Sequence, residues 1–206
     1  PGTIMRTRYE KLRIPFSRGL AVVAVFFLMF SSSRWEETSP LITTMLFTVG
    51  MLLVAVASLG RMWCSVYIAG YKDRTLITAG PYSMSRNPLY FFSMLGALGV
   101  GCCTEAFTFP VLILLAMALY YPLVIRKEER RLQEYFGNAF SDYVQRVPVF
   151  FPKLALFREP DTYTVNPRAY RRHMFSALWF VWLVGLIELA EGLKEIGWLR
   201  SFWHCY

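Results

Sequence analysis

The stretch "PLITTMLFTVGMLLVAVASLG", residues 40–60, decides the fold class, because it has the length of a membrane span and carries no charged side chain. A helix of about 20 apolar residues crosses the hydrocarbon core of a bilayer. The composition agrees: 55% of the 206 residues are hydrophobic and 17% are charged, against roughly 25% charged residues in soluble domains. The sequence therefore predicts an integral membrane protein.

Further apolar stretches predict an all-α fold, a multi-pass transmembrane helical bundle of about five spans. The run 87–125 is long enough for two spans, and "GVGCCTEAF", residues 99–107, marks a tight turn between them. Shorter candidates lie at 14–33 and 173–192, and the first of these also resembles the apolar part of a signal peptide.

We interpret the chain, 1–206, as one integral membrane domain with three parts. A basic N-terminal segment and two spans occupy 1–74, a core occupies 75–153, and an extension with one span occupies 154–206.

The distribution of charge predicts the orientation of the spans. Lys and Arg cluster before the first span and in the segments 61–86 and 126–172, whereas the loops "SSSRWEETS" and "CCTEA" are acidic on balance. By the positive-inside rule, the N-terminus and both basic segments are cytoplasmic. The net charge of +8 therefore requires no nucleic acid, because topology and attraction to anionic membrane lipids account for it.

The four Cys and two His residues show no paired spacing, so we predict neither a metal site nor a disulfide framework. The sequence also lacks a glycine-rich dinucleotide motif and a Walker loop. Any cofactor must therefore be bound in another way.

The stretch "AGPYSMSRNPLYFF", residues 79–92, places Arg86 just before an apolar span. A purely structural explanation is that Asn87 caps the following helix and Pro88 is its first residue, since both residue types are favoured there. The competing explanation is a binding site, because a helix N-terminus and a guanidinium both attract an anion.

A second informative segment is "LVIRKEERRLQEYFGNAFSDYVQRVPVFFPKL", residues 123–154. Read as a helix, it directs Glu128 and Glu129 toward the buried side, where a carboxylate needs a cationic or hydrogen-bonding partner. Alternatively, both carboxylates extend into headgroup water or pair with Arg126 or Arg131. The apolar stripe beside them comprises Leu132, Tyr135, Phe136, Ala139 and Tyr143.

Taken together, the two segments resemble the superfamily of the isoprenylcysteine carboxyl methyltransferases and phospholipid methyltransferases, over about residues 75–153. The shared features are a G-P-Y turn, an R-H-P-x-Y element opening a span, a Glu pair, an F-G step, spaced tyrosines and a V-P pair. The histidine of that element is Asn87 here, which leaves the identity of the methyl acceptor open.

The resemblance implies a transferase that uses S-adenosylmethionine, bound in a cytoplasmic-side pocket formed by the helical hairpin and the segment after it. Arg86 would take the carboxylate of the donor. The implied cofactor-binding residues are Tyr82, Arg86, Asn87, Pro88, Tyr90, Glu128 and Glu129. The implied catalytic residues are Arg146, beside the acceptor group, with Glu129 and Tyr143 as candidate bases for an amine acceptor.

The expected partner is a lipid or lipidated acceptor that arrives through the bilayer. Candidate acceptor groups are a prenylcysteine carboxylate, a phospholipid amine, a lipid phosphate and a thiol. Two other classes of function stay open. One is an NADPH-dependent membrane reductase of the steroid reductase type, and the other is a non-catalytic membrane scaffold.

Overall fold

The computed structural model describes residues 31–33, 35–69, 71, 75–199 and 203–205. Apart from its last three residues, the predicted first span, 14–33, lies outside these ranges. The described chain forms helices α1 Trp35–Thr38, α2 Pro40–Ile68, α3 Pro81–Met84, α4 Pro88–Cys102, α5 Thr108–Phe136, α6 Asn138–Arg146, α7 Pro167–Ala177 and α8 Trp179–Glu195, with a 3-10 turn at Leu154–Leu156. Two three-residue strands, β1 Ser31–Ser33 and β2 Trp203–Cys205, pair in parallel.

The helices confirm the all-α, multi-pass membrane fold. Among the described residues, three helical stretches are long and apolar enough to cross a bilayer: Pro40–Ile68, Thr108–Phe136 and Pro167–Glu195. The apolar helix α4 is shorter, at 15 residues, and the predicted tight turn lies between its end at Cys102 and the start of α5. Many apolar side chains of α5 are exposed, as expected for a surface in contact with lipid.

Helix α2 continues beyond the predicted end of its span at Gly60 and ends at Ile68. Arg61, which the charge distribution assigns to a cytoplasmic segment, is therefore part of this helix, seven residues before its end. The run "MWCSVYI" after Arg61 is apolar, so the helix can hold one charged side chain and still remain in an apolar environment.

Small residues allow α2 and α4 to approach closely, as is common between membrane helices. A Cβ atom on Gly60 would lie 2.2 Å from the Phe92 ring, and one on Gly99 would lie 2.7 Å from the carbonyl oxygen of Gly50. This close packing brings the side chains of α2 next to the start of α4, where the first motif lies.

A break at Gly137 separates α5 from α6. Gly137 has φ +50°, a left-handed conformation that glycine adopts without steric cost. The continuous stripe predicted across this region was therefore partly wrong. Tyr135 and Ala139 are exposed, whereas Phe140 and Tyr143 are buried, because the break turns α6 to present a different face.

Candidate active site

The two motif segments meet in the structure. The turn at residues 80–87 is joined to residues 148–158 by three backbone hydrogen bonds: Arg86 N to Pro148 O (2.9 Å), Lys153 N to Met84 O (2.9 Å) and Gly80 N to Arg158 O (2.8 Å). The segment after α6 thus returns to the start of α4 and packs against it.

Asn87 and Pro88 begin α4, as predicted, with Pro88 in the first turn. The Asn87 side chain does not cap the helix, however. Its Nδ2 donates a hydrogen bond to the Val149 carbonyl at 3.0 Å. Asn87 therefore connects the two motif segments, a role that requires an amide donor rather than a capping oxygen.

Gly80 lies where the turn contacts α2. Its φ is +60°, and a Cβ atom there would lie 2.3 Å from the Tyr67 ring. The hydroxyl of Tyr67 donates to Glu159, and that of Tyr163 donates to the Tyr67 carbonyl at 2.9 Å. The segment that follows the core is thus attached to the C-terminal end of α2.

Arg86 pairs with Glu129 across the two motifs. Nη1 of Arg86 lies 3.0 Å from Oε1 of Glu129, and the side chains are 9% and 23% exposed. The contact is ionic rather than an aligned hydrogen bond, since Oε1 accepts no hydrogen bond of good geometry. Glu129 therefore faces inward, toward Arg86.

Glu128 also faces inward. Its Oε2 accepts a hydrogen bond from the Tyr90 hydroxyl at 2.9 Å, and the rings of Tyr90 and Tyr121 lie 5.3 Å apart. This contact joins the first turn of α4 to α5 at a second point.

A cavity of about 240 Å³ lies between these groups. Six of the predicted residues line it: Tyr82, Arg86, Asn87, Tyr90, Glu128 and Tyr143. Pro88 is buried at the start of α4, and Glu129 lines a neighbouring groove. Arg146 lines neither space. It is exposed, and its Nε donates to the Asp142 carbonyl at 3.1 Å.

Two buried tyrosines form one wall of the cavity. The hydroxyl of Tyr143 donates to the Tyr82 carbonyl at 2.7 Å. Burial raises the pKa of both phenols above the ordinary value, so both are protonated at neutral pH. Tyr143 is a hydrogen-bond donor that positions Tyr82, and its role as a base stays a prediction.

An apolar groove of about 500 Å³ lies beside the cavity, between α4, α5 and residues 149–151. Apolar side chains form most of its wall, and Arg126 and Glu129 are among its polar members. Two lining residues, Leu114 and Phe151, are 49% and 71% exposed, so the groove opens onto the apolar surface. Through Glu129, it reaches the ion pair at the edge of the cavity.

Several residues of these two spaces were not predicted as site residues. They are Arg61 and Ser93 in the cavity and Tyr121 and Phe150 in the groove. A single arginine within the apolar run 40–68 was the available signal for Arg61, because such charges rarely lie in a span without a function. The aromatic residues carried no comparable signal.

Four buried polar atoms around the cavity and the ion pair have no aligned hydrogen-bond partner: Arg61 Nε, Tyr82 OH, Arg86 Nε and Glu129 Oε1. Buried polar groups in native proteins are usually paired. Three of them are N–H or O–H donors, so their concentration here fits a polar ligand with hydrogen-bond acceptors, and the Glu128 carboxylate favours a positive charge in the same cavity. Within the described ranges, no group of three or more His, Cys, Asp or Glu side chains is placed to hold a metal ion.

Comparisons with known proteins identify the family of the chain. The family model for phospholipid methyltransferases matches residues 38–139. A protein-S-isoprenylcysteine O-methyltransferase of Schizosaccharomyces pombe is 31% identical over 39% of this chain and 34% of its own length. The chain therefore belongs to the superfamily of integral-membrane methyltransferases that includes the isoprenylcysteine carboxyl and phospholipid enzymes.

Two bacterial proteins are similar over most of the chain. The nickel-cobalt-cadmium resistance protein NccN of Alcaligenes xylosoxydans xylosoxydans is 40% identical over 92% of this chain and 88% of its own. The cobalt-zinc-cadmium resistance protein CzcN of Cupriavidus metallidurans is 40% identical over 92% and 86%. No solved structure matches the chain.

Proposed function

We propose that the protein transfers a methyl group from S-adenosylmethionine to a lipid or lipid-linked acceptor at the cytoplasmic face of the membrane. The observation that carries the proposal is the junction of two spaces at one ion pair. Arg86 lines the cavity that also holds Glu128, Glu129 lines the apolar groove, and the charged atoms of Arg86 and Glu129 are 3.0 Å apart. A soluble donor and an apolar acceptor could therefore meet there.

The cavity suits the donor by charge and shape. When bound, S-adenosylmethionine supplies an electrophilic methyl group on a positively charged sulfur, which leaves as a neutral thioether. The carboxylate of Glu128 favours a cation in the cavity, and the Tyr90 hydroxyl orients this carboxylate. Burial among protein groups excludes water and strengthens these electrostatic interactions. Alignment of donor and acceptor supplies much of the remaining rate enhancement.

The groove suits an acceptor with an apolar body and a polar reacting group. Ligand sites of this kind are mostly apolar, with a few polar groups that orient the ligand. Arg126 would orient an anionic oxygen of the acceptor, and Glu129 would accept the proton released by an amine. For Arg146 we retain the prediction of a role beside the acceptor, which would require a rearrangement from its present exposed position.

The proposed orientation, with the cavity and the N-terminus in the cytoplasm, follows from the charge distribution. It is consistent with the donor, which is water-soluble and made in the cytoplasm. Membrane lipids would provide both the surroundings of the apolar helices and the route by which the acceptor reaches the groove.

A decisive experiment uses purified protein in lipid nanodiscs, a donor with an isotope-labelled methyl group and lipid extracts from the native membrane. Mass spectrometry would identify the molecule that gains the label. We expect labelling by the wild type and by Glu134→Gln, since Glu134 is exposed, and a loss of at least about 100-fold in Glu128→Gln. A wild type that labels no component and binds no S-adenosylhomocysteine contradicts the proposal. Binding of NADPH instead would favour the reductase.

The names of the two bacterial relatives support a second proposal, that this methyl transfer contributes to tolerance of divalent metals. Expression in a metal-sensitive bacterium is expected to raise the tolerated concentration of cobalt, nickel or cadmium. Glu128→Gln is expected to remove the effect at equal protein level. Equal protection by the wild type and Glu128→Gln would show that tolerance does not depend on the chemistry of the cavity.

A further inference from the structure

The cavity contains a cation that the family motifs do not include. Arg61 lies within the span α2, seven residues before its end, and it lines the cavity together with Ser93 of α4. A charged side chain within a span is costly, and such residues usually face a functional cavity. This guanidinium is therefore a candidate binding group for an anion.

The partners of Arg61 are neutral. Its Nη1 donates to the Ser93 hydroxyl, its Nη2 donates to the Ser176 hydroxyl at 3.2 Å, and its guanidinium carbon lies 5.6 Å from the centre of the Phe180 ring. Its Nε is buried without a partner. Within the described part of the chain, Arg61 forms no ion pair with a carboxylate, in contrast to Arg86, which pairs with Glu129.

Arg86, by contrast, is already paired with Glu129. A guanidinium in contact with a carboxylate attracts a second anion less strongly than one whose contacts are hydroxyls and a ring face. The anionic part of a ligand in this cavity would therefore gain more from Arg61 than from Arg86, although sequence reasoning assigns the donor carboxylate to Arg86.

The cavity also carries a carboxylate on a separate helix. Glu128 of α5 and Arg61 of α2 both line it, and Tyr82 lies within the electrostatic reach of both. Burial is the main cause of the raised pKa of Tyr82, with Glu128 raising that pKa further and Arg61 opposing the rise. With Arg86 paired to Glu129, the guanidinium of Arg61 and the carboxylate of Glu128 in one cavity are complementary to a zwitterion such as an α-amino acid.

We propose that Arg61 binds the carboxylate of the amino-acid part of the donor, with Glu128 on the side of its positive charges, and that the C-terminal helices hold Arg61 in place. This inference rests on the proposed function. Ser176 of α7 and Phe180 of α8 lie beyond the residues matched by the family model, which end at 139. The extension thus acts as a support for the cavity, and these two are positioning residues.

The test is isothermal titration calorimetry of detergent-purified protein with two ligands: S-adenosylhomocysteine and its analogue lacking the carboxylate. Loss of a charge-assisted hydrogen bond should weaken binding by about 10- to 100-fold. For Arg61→Gln we expect this loss with S-adenosylhomocysteine and an affinity for the decarboxylated analogue within about twofold of the wild type. The matched control is Arg171→Gln, since Arg171 is an exposed residue of α7.

Equal losses for both ligands would overturn the proposal, because they would indicate a general structural role for Arg61. Unchanged affinity of Arg61→Gln for S-adenosylhomocysteine would overturn it as well. This holds even if the KM of the acceptor rises in that variant. If wild-type protein binds neither ligand, the proposed function fails rather than the assignment of Arg61.

Two further variants keep the test usable if Arg61→Gln does not fold. Arg61→Lys retains the charge but cannot form the forked contact, and Ser176→Ala removes one supporting hydroxyl. For each variant we compare the affinity for S-adenosylhomocysteine with the affinity for the decarboxylated analogue. The ratio of the first to the second is expected to fall by about three- to tenfold in both variants. An unchanged ratio in both folded variants would contradict the proposal.

Discussion

The Nη1 atom of Arg86 lies 3.0 Å from Oε1 of Glu129, and this contact joins the residue before α4 to the polar end of α5. It is the point at which the two sequence motifs, 43 residues apart, become one site. Both side chains are mostly buried, so each compensates a charge that would otherwise be costly to hold away from water.

Removing one member of this pair should destabilise the protein more than removing both. We expect Arg86→Met alone to lower the free energy of unfolding by about 3 kcal/mol, since it leaves Glu129 buried without its counter-charge. Arg86→Met combined with Glu129→Leu should recover much of that loss. Unfolding in mixed micelles would measure both, with the exposed Lys127→Gln as control. Additive losses in the double variant would argue against the ion pair.

Glu128 and Tyr90 should differ in their effects on donor binding. Glu128→Gln removes the charge that faces the cavity and should weaken S-adenosylhomocysteine binding by about 10- to 100-fold. Tyr90→Phe removes only the hydrogen bond that orients this carboxylate and should cost about threefold to tenfold. Calorimetry would give both values. A larger loss for Tyr90→Phe than for Glu128→Gln would contradict this order.

Asn87 acts as a donor, so an acidic replacement should be worse than a small one. Asn87→Ala loses the hydrogen bond to the Val149 carbonyl, which should lower the free energy of unfolding by about 1 kcal/mol. Asn87→Asp places a carboxylate next to that carbonyl and should cost more, because two acceptors then face each other. Thermal unfolding in detergent would rank the two variants. Better stability of Asn87→Asp would indicate that the residue caps α4 instead.

Two glycines provide a matched pair for testing the turn. Gly80→Ala should destabilise the protein by about 2 kcal/mol or more, because φ is positive and the Cβ atom would lie 2.3 Å from the Tyr67 ring. Gly185→Ala in α8, where nothing lies within 4 Å of the added Cβ, should instead stabilise the protein by about 0.5–1 kcal/mol. The midpoints of thermal unfolding would show opposite shifts. Equal shifts would disprove the close contact at Gly80.

Alkaline pH should weaken the fold through Tyr82 and Tyr143. Their pKa values are raised in the folded state by burial, whereas in the unfolded chain a tyrosine titrates near pH 10. The unfolded state therefore releases protons first, so this part of the stability is complete below about pH 10 and decreases as pH rises above it.

The comparison that isolates this effect is Tyr143→Phe against Tyr135→Phe, whose ring is 52% exposed. We expect the unfolding midpoint of Tyr143→Phe to fall less steeply between about pH 10 and 11.5 than that of the wild type, while Tyr135→Phe follows the wild type. Parallel curves for all three proteins would show that the buried phenol of Tyr143 does not control the transition.

The site shows which predictions a sequence of this kind supports. Helical periodicity correctly predicts that Glu128 and Glu129 face inward, since one unbroken helix, α5, contains both. It does not predict which residues beyond Gly137 are buried, because a single residue with positive φ changes the face that α6 presents. Arg146, four residues after Asp142, hydrogen bonds to its own helix, an arrangement that motif matching alone does not reveal.

Span length, charge-free apolar runs and motif spacing are local properties of the chain, so they suffice to identify a helical membrane protein of a methyltransferase superfamily. The pairing of charges is not a local property, and it emerges from the packing of the helices. Arg86 pairs with Glu129, whereas Arg61, assigned to a loop by its charge, lies in the cavity wall with hydroxyl partners. The physical reason is that the environment of a charge depends on the helices packed around it, and this packing joins residues distant in the chain.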